Sequence, residues 1–281
     1  MKHMSVTFQG EHGAFSEEAA RHFFGRGVRT VPKTGFREVF DSVANGRASA
    51  GIVPIENSLF GSVHQNYDLL DRYDLHIIGE IKVRIVHALL VNPGVTMRQV
   101  KYIYSHPQAL GQCERFIETL KGREIVAVYD TAGAAKSIRD DHRTDAAAIA
   151  GMAAARFYHL SALKVGVEND HRNFTRFLVL SRKAVVAKRN AKTSILFSTK
   201  NIPGALFKAL SVFALRDINL YKIESRPITG TPWEYRFYLD FEGSAADVRC
   251  TQALHHLKEI TSHMKILGSY AKGKTIGGRV A

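Results

Sequence analysis

A hydroxyl and a permanent cation stand side by side in Asn173-Phe174-Thr175-Arg176-Phe177, at the head of an apolar run that continues Leu178-Val179-Leu180. Such a run predicts a strand, and strand neighbours point to opposite faces. One of Thr175 and Arg176 can therefore face a ligand while the other holds the frame or contacts an anion from the other side. A threonine hydroxyl is a poor acid, so its chemistry is that of a positioned donor or relay. An arginine can grip a carboxylate bidentately. Read alone, the segment also fits an ordinary strand start with Arg176 in a structural salt bridge. Asn173-Phe174-Thr175 matches a glycosylation sequon as well, but nothing else in the chain reads as secreted.

Other polar residues recur at comparable places. Ser16, Ser58, Ser105 and Thr131 each follow a predicted strand and precede, or sit near, a predicted helix start. In open α/β sheets, ligands bind beyond the carboxyl ends of the strands. Helix N-termini there offer unpaired N–H groups and partial positive charge, which suit carboxylates. The simpler fate of each hydroxyl is to cap its helix. Glu56, Asn57, His106 and Gln108 stand beside these ends. Glu56 is expected to orient a ligand or supply a proton, since a bare carboxylate repels an anion unless protonated or paired. His106, just before Pro107, either caps a turn or acts directly. Gly10 and Gly13 form no dinucleotide or P-loop fingerprint.

The elements that would position these groups alternate. Val6-Thr7-Phe8 reads as a strand, and Ser16 as the N-cap of the next helix. Phe36, Val39, Phe40 and Val43 share one helical face. Gly51 to Ile55 is a buried strand that Pro54 is expected to end. Tyr67 to Leu70 is helical, and Leu75 to Val91 is a long β-rich stretch that carries the chain into a second lobe. There, Val100–Tyr104 and Ile125–Tyr129 are strands, Pro107 opens a helix, Ala132–Ile138 is a helix, and Ala146–Phe157 reads as mostly helical. This alternation predicts α/β lobes with mainly parallel sheets. After a basic boundary at Lys183 to Lys192 comes βαββαβ. Its strands are Ser194–Phe197, Leu220–Ile228, one through Tyr235 and Phe241, and one from Lys265. Its helices are Pro203–Leu215 and one through Cys250 and Leu257. That order is a ferredoxin-like module, and it does not by itself name a function.

The 281 residues are 45% hydrophobic and 23% charged, as in a soluble globular protein. No apolar run reaches the roughly 20 residues of a membrane span. The first residues carry no apolar signal segment, and Cys113 and Cys250 read as free, packed thiols of a reducing cytoplasm. A net charge of +13 favours anionic partners. The basic residues are scattered and no nucleic-acid-binding pattern is present, so a small anion is the expected partner rather than nucleic acid. The thirteen histidines show no metal spacing, and no cofactor is expected.

Gly10 to Ser16, Val53 to Ser58, Ser105 to Leu110, Asp130-Thr131-Ala132 and Asn173 to Phe177 resemble, in family order, the signature segments of prephenate dehydratase. Pro203-Gly204-Ala205-Leu206 and Glu224-Ser225-Arg226-Pro227 resemble the phenylalanine-binding segments of that family's ACT domain. Each segment is short; their ordered combination from about Val6 to Tyr270 is specific. The resemblance implies a two-lobed catalytic domain like periplasmic solute-binding proteins over 1–185, with one lobe near 5–80 and 165–185 and the other near 81–164. It also implies an ACT domain over 193–271 and a disordered tail over 272–281. The implied reaction converts prephenate to phenylpyruvate, water and carbon dioxide without metal or cofactor. In this reading Thr175 donates to the leaving oxygen, Arg176 fixes a carboxylate, and Asn57 and Ser58 position the substrate. Glu56 or His106 is the alternative to Thr175 as proton source. Ser16, Ser105, Gln108, Thr131, Asn173 and Phe177 complete the substrate site.

L-phenylalanine would bind through Pro203, Gly204, Ala205, Leu206, Asn219, Glu224, Ser225 and Arg226, and inhibit. ACT domains pair, so a homodimer or homotetramer is implied. Tyr221 departs from the threonine usual in the family. The strand at Val6 leaves no room for a preceding chorismate mutase domain, so a monofunctional enzyme is expected. Arogenate, with an amino group for the keto group, is the alternative substrate. A non-catalytic two-lobed binder of small anions or amino acids is the alternative of another class; it would be expected to carry a signal peptide or a DNA-binding domain.

Overall fold

A computed structural model describes residues 4–228, 230–231 and 233–277. The first lobe opens with β1 (Ser5–Gln9), α1 (Phe15–Phe24), β2 (Arg29–Lys33), α2 (Phe36–Ala44), β3 (Ala50–Asn57), the short β4 (Gly61–Ser62), α3 (His64–Arg72) and β5 (His76–Arg84). The second lobe holds β6 (His87–Val91), β7 (Tyr102–Ser105), α4 (Pro107–Gln112), α5 (Glu114–Glu118), β8 (Glu124–Ala127), α6 (Thr131–Asp140), β9 (Ala146–Gly151), α7 (Met152–Phe157) and β10 (Ser161–Val165). β11 (Phe174–Ser181) returns to the first lobe. β12 (Ala191–Ser198), α8 (Ala205–Ala214), β13 (Leu220–Pro227), β14 (Tyr235–Glu242), α9 (Val248–Ile260) and β15 (His263–Ala271) follow, and β16 (Lys274–Ile276) is last.

Each lobe is a sheet flanked by helices, and both sheets are mixed rather than mainly parallel. In the first, of order β16-β5-β11-β3-β1-β2, the returning β11 runs antiparallel to both β3 and β5. In the second, of order β10-β6-β9-β7-β8, β6 is antiparallel to both its neighbours. The strands that carry the chain across and back must enter each sheet against its parallel members. The two lobes share a core that joins Val6, Phe8 and Ile52 to Ala88, Ala135 and Ala148. The third sheet, of order β13-β14-β12-β15, is antiparallel with α8 and α9 packed together, the ferredoxin-like arrangement.

Several local expectations are corrected. Ala146–Gly151 is a strand, buried along its whole length, and only Met152–Phe157 is helical. Alanine favours helix in isolation, but small side chains are what a central strand under α6 can hold on both faces. Pro54 lies inside β3 rather than at its end. The register between β3 and β11 slips there, with Arg176 opposite Glu56 but Phe177 opposite Pro54. Ile55 is thus the extra residue of a β-bulge, where a proline without N–H is tolerated. β2 was not expected. Ser16 does not cap α1; Ala14 holds that position and Ser16 lies in the first turn. The disordered tail expected over 272–281 is corrected where it is described, because Lys274–Ile276 pairs in parallel with β5; positions 278–281 lie outside the described residues.

Candidate active site

A cleft of about 370 Å³ opens between the lobes where β3, β7 and β8 end. The first lobe contributes Ser16, Asn57, Thr175 and Phe177, the second His106, Gln108, Gln112, Asp130 and Thr131, and the first crossing His87. The ten-residue helices α1 and α6 start at its wall, with Ser16 and Thr131 in their first turns. Their leading N–H groups lack helical partners, which suits a carboxylate.

The Thr175 hydroxyl is the end of a buried polar chain. Asn57 Nδ2 donates to Thr175 Oγ1 at 3.0 Å and to Asn173 Oδ1 at 2.7 Å. Asn57 Oδ1 accepts from the Leu59 and Phe60 amides, both at 3.0 Å, which fixes the orientation of the amide group. Asn173 Nδ2 donates to Gln112 Oε1 at 2.8 Å, and the same oxygen meets His87 Nε2 at 2.7 Å. A carbonyl oxygen only accepts, so His87 carries its proton on Nε2. Burial pushes the His87 pKa down, although Gln112 favours the charged form, so the ring is neutral at pH 7. Because Thr175 Oγ1 already accepts from Asn57, its own proton is directed elsewhere, and the cleft is the open side.

His106 also lines the cleft and accepts the Gln108 N–H on Nδ1 at 3.2 Å, capping α4. Burial lowers its pKa despite the nearby Asp130 charge, so it is a neutral imidazole with a proton on Nε2. Asp130, not Thr131, caps α6. Its Oδ2 accepts from the Gly133 amide at 2.9 Å and from the Glu11 amide of the other lobe at 3.1 Å. Burial pushes the Asp130 carboxyl up, against those amides, and the Glu11 charge adds to the rise. Gly13 has φ +86°, and a β-carbon there would come within 2.5 Å of Ala154 Cα in α7. The glycine loop is thus where the first lobe closes on the second.

Five expected site residues stand elsewhere. Arg176 is buried on the opposite face of the sheet, 2.7 Å from Glu80 and 2.6 Å from Asp240, and so cannot take a substrate carboxylate. Glu56 lies on that same face, beside Lys222 at 3.0 Å, because the Ile55 bulge re-aims it. Ser105 Oγ is buried and donates to the Ile149 carbonyl at 2.6 Å. Ser58 Oγ donates to the Arg172 carbonyl at 2.8 Å and accepts from the Phe174 amide at 2.9 Å, so it braces the start of β11. Asn173 sits behind the wall as a link of the polar chain. In the third sheet, Gly204 takes φ +75° immediately before α8. Glu224 accepts from Ser62 at 2.6 Å and Arg226 grips Asp68 at 3.0 Å, so both dock on the first lobe instead of standing open for an amino acid.

The cleft also holds Gln112, Asp130 and His87, which sequence reasoning did not assign to the site. Gln112 was legible, one helical turn after Gln108 and so on the same face. Asp130 was legible as the cap before Thr131. Nothing marked His87 within its β-rich run. Among the described residues no lysine or arginine lines the cleft, so the +13 charge does not sit where a small anion would bind. Cys113 is packed, its thiol pushed up to about 12 by burial and by Glu168.

Residues 6–185 match the prephenate dehydratase family. This chain belongs to that family. The dehydratase is 45% identical over 282 residues to arogenate dehydratase/prephenate dehydratase 2, chloroplastic, of Arabidopsis thaliana, covering 96% of this chain and 74% of that one. Prephenate dehydratase of Arthrobacter aurescens, solved in complex with L-Phe, is 33% identical with TM-score 0.88, over 96% of this chain and 90% of that one. A protein described as a novel type of quorum-quenching acylase is 34% identical with TM-score 0.87, over 95% and 98%. The dehydratase therefore has the family's two-lobed fold, like periplasmic binding proteins. It acts as a dehydratase of the prephenate and arogenate class in phenylalanine biosynthesis. The expectation of a cytoplasmic protein is corrected, because the Arabidopsis relative is chloroplastic.

Proposed function

We propose that the cleft binds prephenate and expels its ring hydroxyl as water while the ring carboxylate leaves as carbon dioxide, giving phenylpyruvate. The electron pair of the breaking carbon–carbon bond enters the ring, and the carbon–oxygen bond opposite breaks. One proton is consumed, on the departing oxygen. The observation that carries this reading is the Asn57 Nδ2 bond to Thr175 Oγ1, which leaves the threonine proton free to meet that oxygen. Thr175 is a hydrogen-bond donor that relays to the leaving group a proton taken from solvent, so its own hydroxyl is unchanged at the end of the step. The first turns of α1 and α6 hold the carboxylates, Gln108 and Gln112 flank them, and Phe177 packs against the ring.

Arogenate is the second reading, and Asp130 favours it. A half-desolvated carboxylate in a cleft without lysine or arginine among its described lining repels a dianion and attracts an ammonium. The C-terminal module acts as an ACT domain that takes L-phenylalanine beside Gly204 and pairs two copies of the chain. Phenylalanine lowers turnover in this reading.

The test is turnover of the purified chain with prephenate and with arogenate, beside Thr175→Val, which keeps the shape and removes the donor. The expected loss in kcat is about 10²- to 10⁴-fold with the variant folded. An inert parent would refute the dehydratase reading, and hydrolysis of an acyl amide by that same parent would replace it with acylase chemistry. A fully active Thr175→Val would move the donor to another group of the cleft.

A further inference from the structure

Thr175 and Asn57 face each other across β11 and β3, and the next pair along is Arg176 and Glu56. Alternation and the Ile55 bulge turn the first pair to the cleft and the second to the opposite face. That face is covered by the C-terminal module, whose Leu196, Tyr238, Leu267 and Tyr270 share a core with Val53, Ile55 and Leu178. Arg176 lies between Glu80 at 2.7 Å and Asp240 at 2.6 Å, and Lys192 Nζ meets Glu80 at 2.8 Å. Arg176 and Glu80 belong to the catalytic lobe; Lys192 and Asp240 belong to the module. Each half is neutral by itself, and all four side chains are nearly buried (2–11% exposed). Moving the module away would leave buried charges half-paired, which is costly. Glu56 is held the same way, by Lys222 of β13 at 3.0 Å.

We propose that Arg176 and Glu56 are positioning residues through which the C-terminal module sets the placement of Thr175 and Asn57. An effector bound to the module then changes turnover by moving Asp240 and Lys222. This rests on the dehydratase reading of the cleft and the phenylalanine reading of the module. The link is covalent and short: Arg176 shares a peptide plane with Thr175, as Glu56 does with Asn57. A displacement near 1 Å at a reacting group costs about 10²-fold in rate. Packed interfaces switch between discrete arrangements rather than bending gradually, so a small shift at the quartet reaches the strand pair intact.

Asp240→Asn and Lys222→Met test this in the full chain, since neither residue lines the cleft. The expected result is a kcat lowered by about tenfold or more with KM within about threefold. Calorimetry should show phenylalanine binding as in the parent, while its effect on kcat shrinks. Amide hydrogen exchange without any substrate should quicken at β3 and β11 and stay unchanged at β1. Folded variants with parental kcat, parental inhibition and parental exchange would overturn the proposal. So would a loss spread evenly over the whole chain, which would mark the quartet as structural glue. If Asp240→Asn fails to fold, Lys222→Met decides, because its partner Glu56 is more exposed, at 37%. A parent inert on both substrates would refute the dehydratase reading; the exchange experiment would still decide the coupling.

Discussion

Thr175 serves a departing oxygen only while its own proton is free, and Asn57 is what keeps it free. Replacing Asn57 by Asp turns the donor into an acceptor, so the threonine proton is drawn inward. Asn57→Asp should lower kcat by about 10²-fold, approaching Thr175→Val, with circular dichroism unchanged; a variant at parental kcat would show that the direction of this bond is immaterial. Asp130 makes a second prediction. Removing its charge in Asp130→Asn should shift the ratio of kcat/KM for arogenate over prephenate toward prephenate by roughly 10- to 100-fold, the worth of one charge pair several ångströms apart at an effective dielectric near 20. Burial raises the Asp130 carboxyl, so it protonates sooner than an ordinary aspartate. The arogenate preference should therefore fade as pH falls. Steady-state kinetics on both substrates at two pH values reads this directly.

The elements place these residues by devices that differ in legibility. The Phe36–Ala44 helix was plain from the spacing of Val39, Phe40 and Val43, all buried. The strand through Thr175 was equally plain. The bulge at Ile55 was not, because alternation assumes an unbroken register, and a single extra residue moves Glu56 to the other face. β9 was misread because alanine signals helix in isolation, whereas its neighbours β6 and β7 offered strand partners. β16 was missed because three residues carry no period; its only cause is the open edge of β5. Truncation after Gly273 should destabilise the chain by about 1–2 kcal/mol, from the lost apolar area of Ile276, and uncover an edge strand. A lower urea midpoint with kcat retained is the expected result.

At the scale of the molecule, the quartet of Arg176, Glu80, Lys192 and Asp240 ties catalytic lobe to module and makes stability depend on acid. Burial would raise the Glu80 carboxyl, but Arg176 and Lys192, with the Gly273 amide, outweigh it and hold the carboxyl at about 2. An unfolded glutamate titrates near 4.3, roughly two units higher. Glu80 therefore contributes stability that is fully present above about pH 5 and is lost as pH falls through 4 toward 2. Urea midpoints at pH 7 and pH 3 should differ less in Glu80→Gln than in the parent, and the variant should be weaker at pH 7. Equal acid sensitivity in the two proteins would show that the quartet does not govern the acid limb.

By itself the sequence determined the chemistry-bearing segments, their order, the α/β and ferredoxin-like alternation, and the family. These follow from local periodicity and from short runs of residues whose types are rarely combined. Tertiary structure alone decided which side chains meet. Thr175, Asn57, His106 and Asp130 converge because two lobes close on one another. Arg176 and Glu56, their sequence neighbours, turn away because one face of the sheet carries the cleft and the other carries the module. A strand's alternation says that neighbours part; only the packed layers say which of them meets substrate and which meets the rest of the protein.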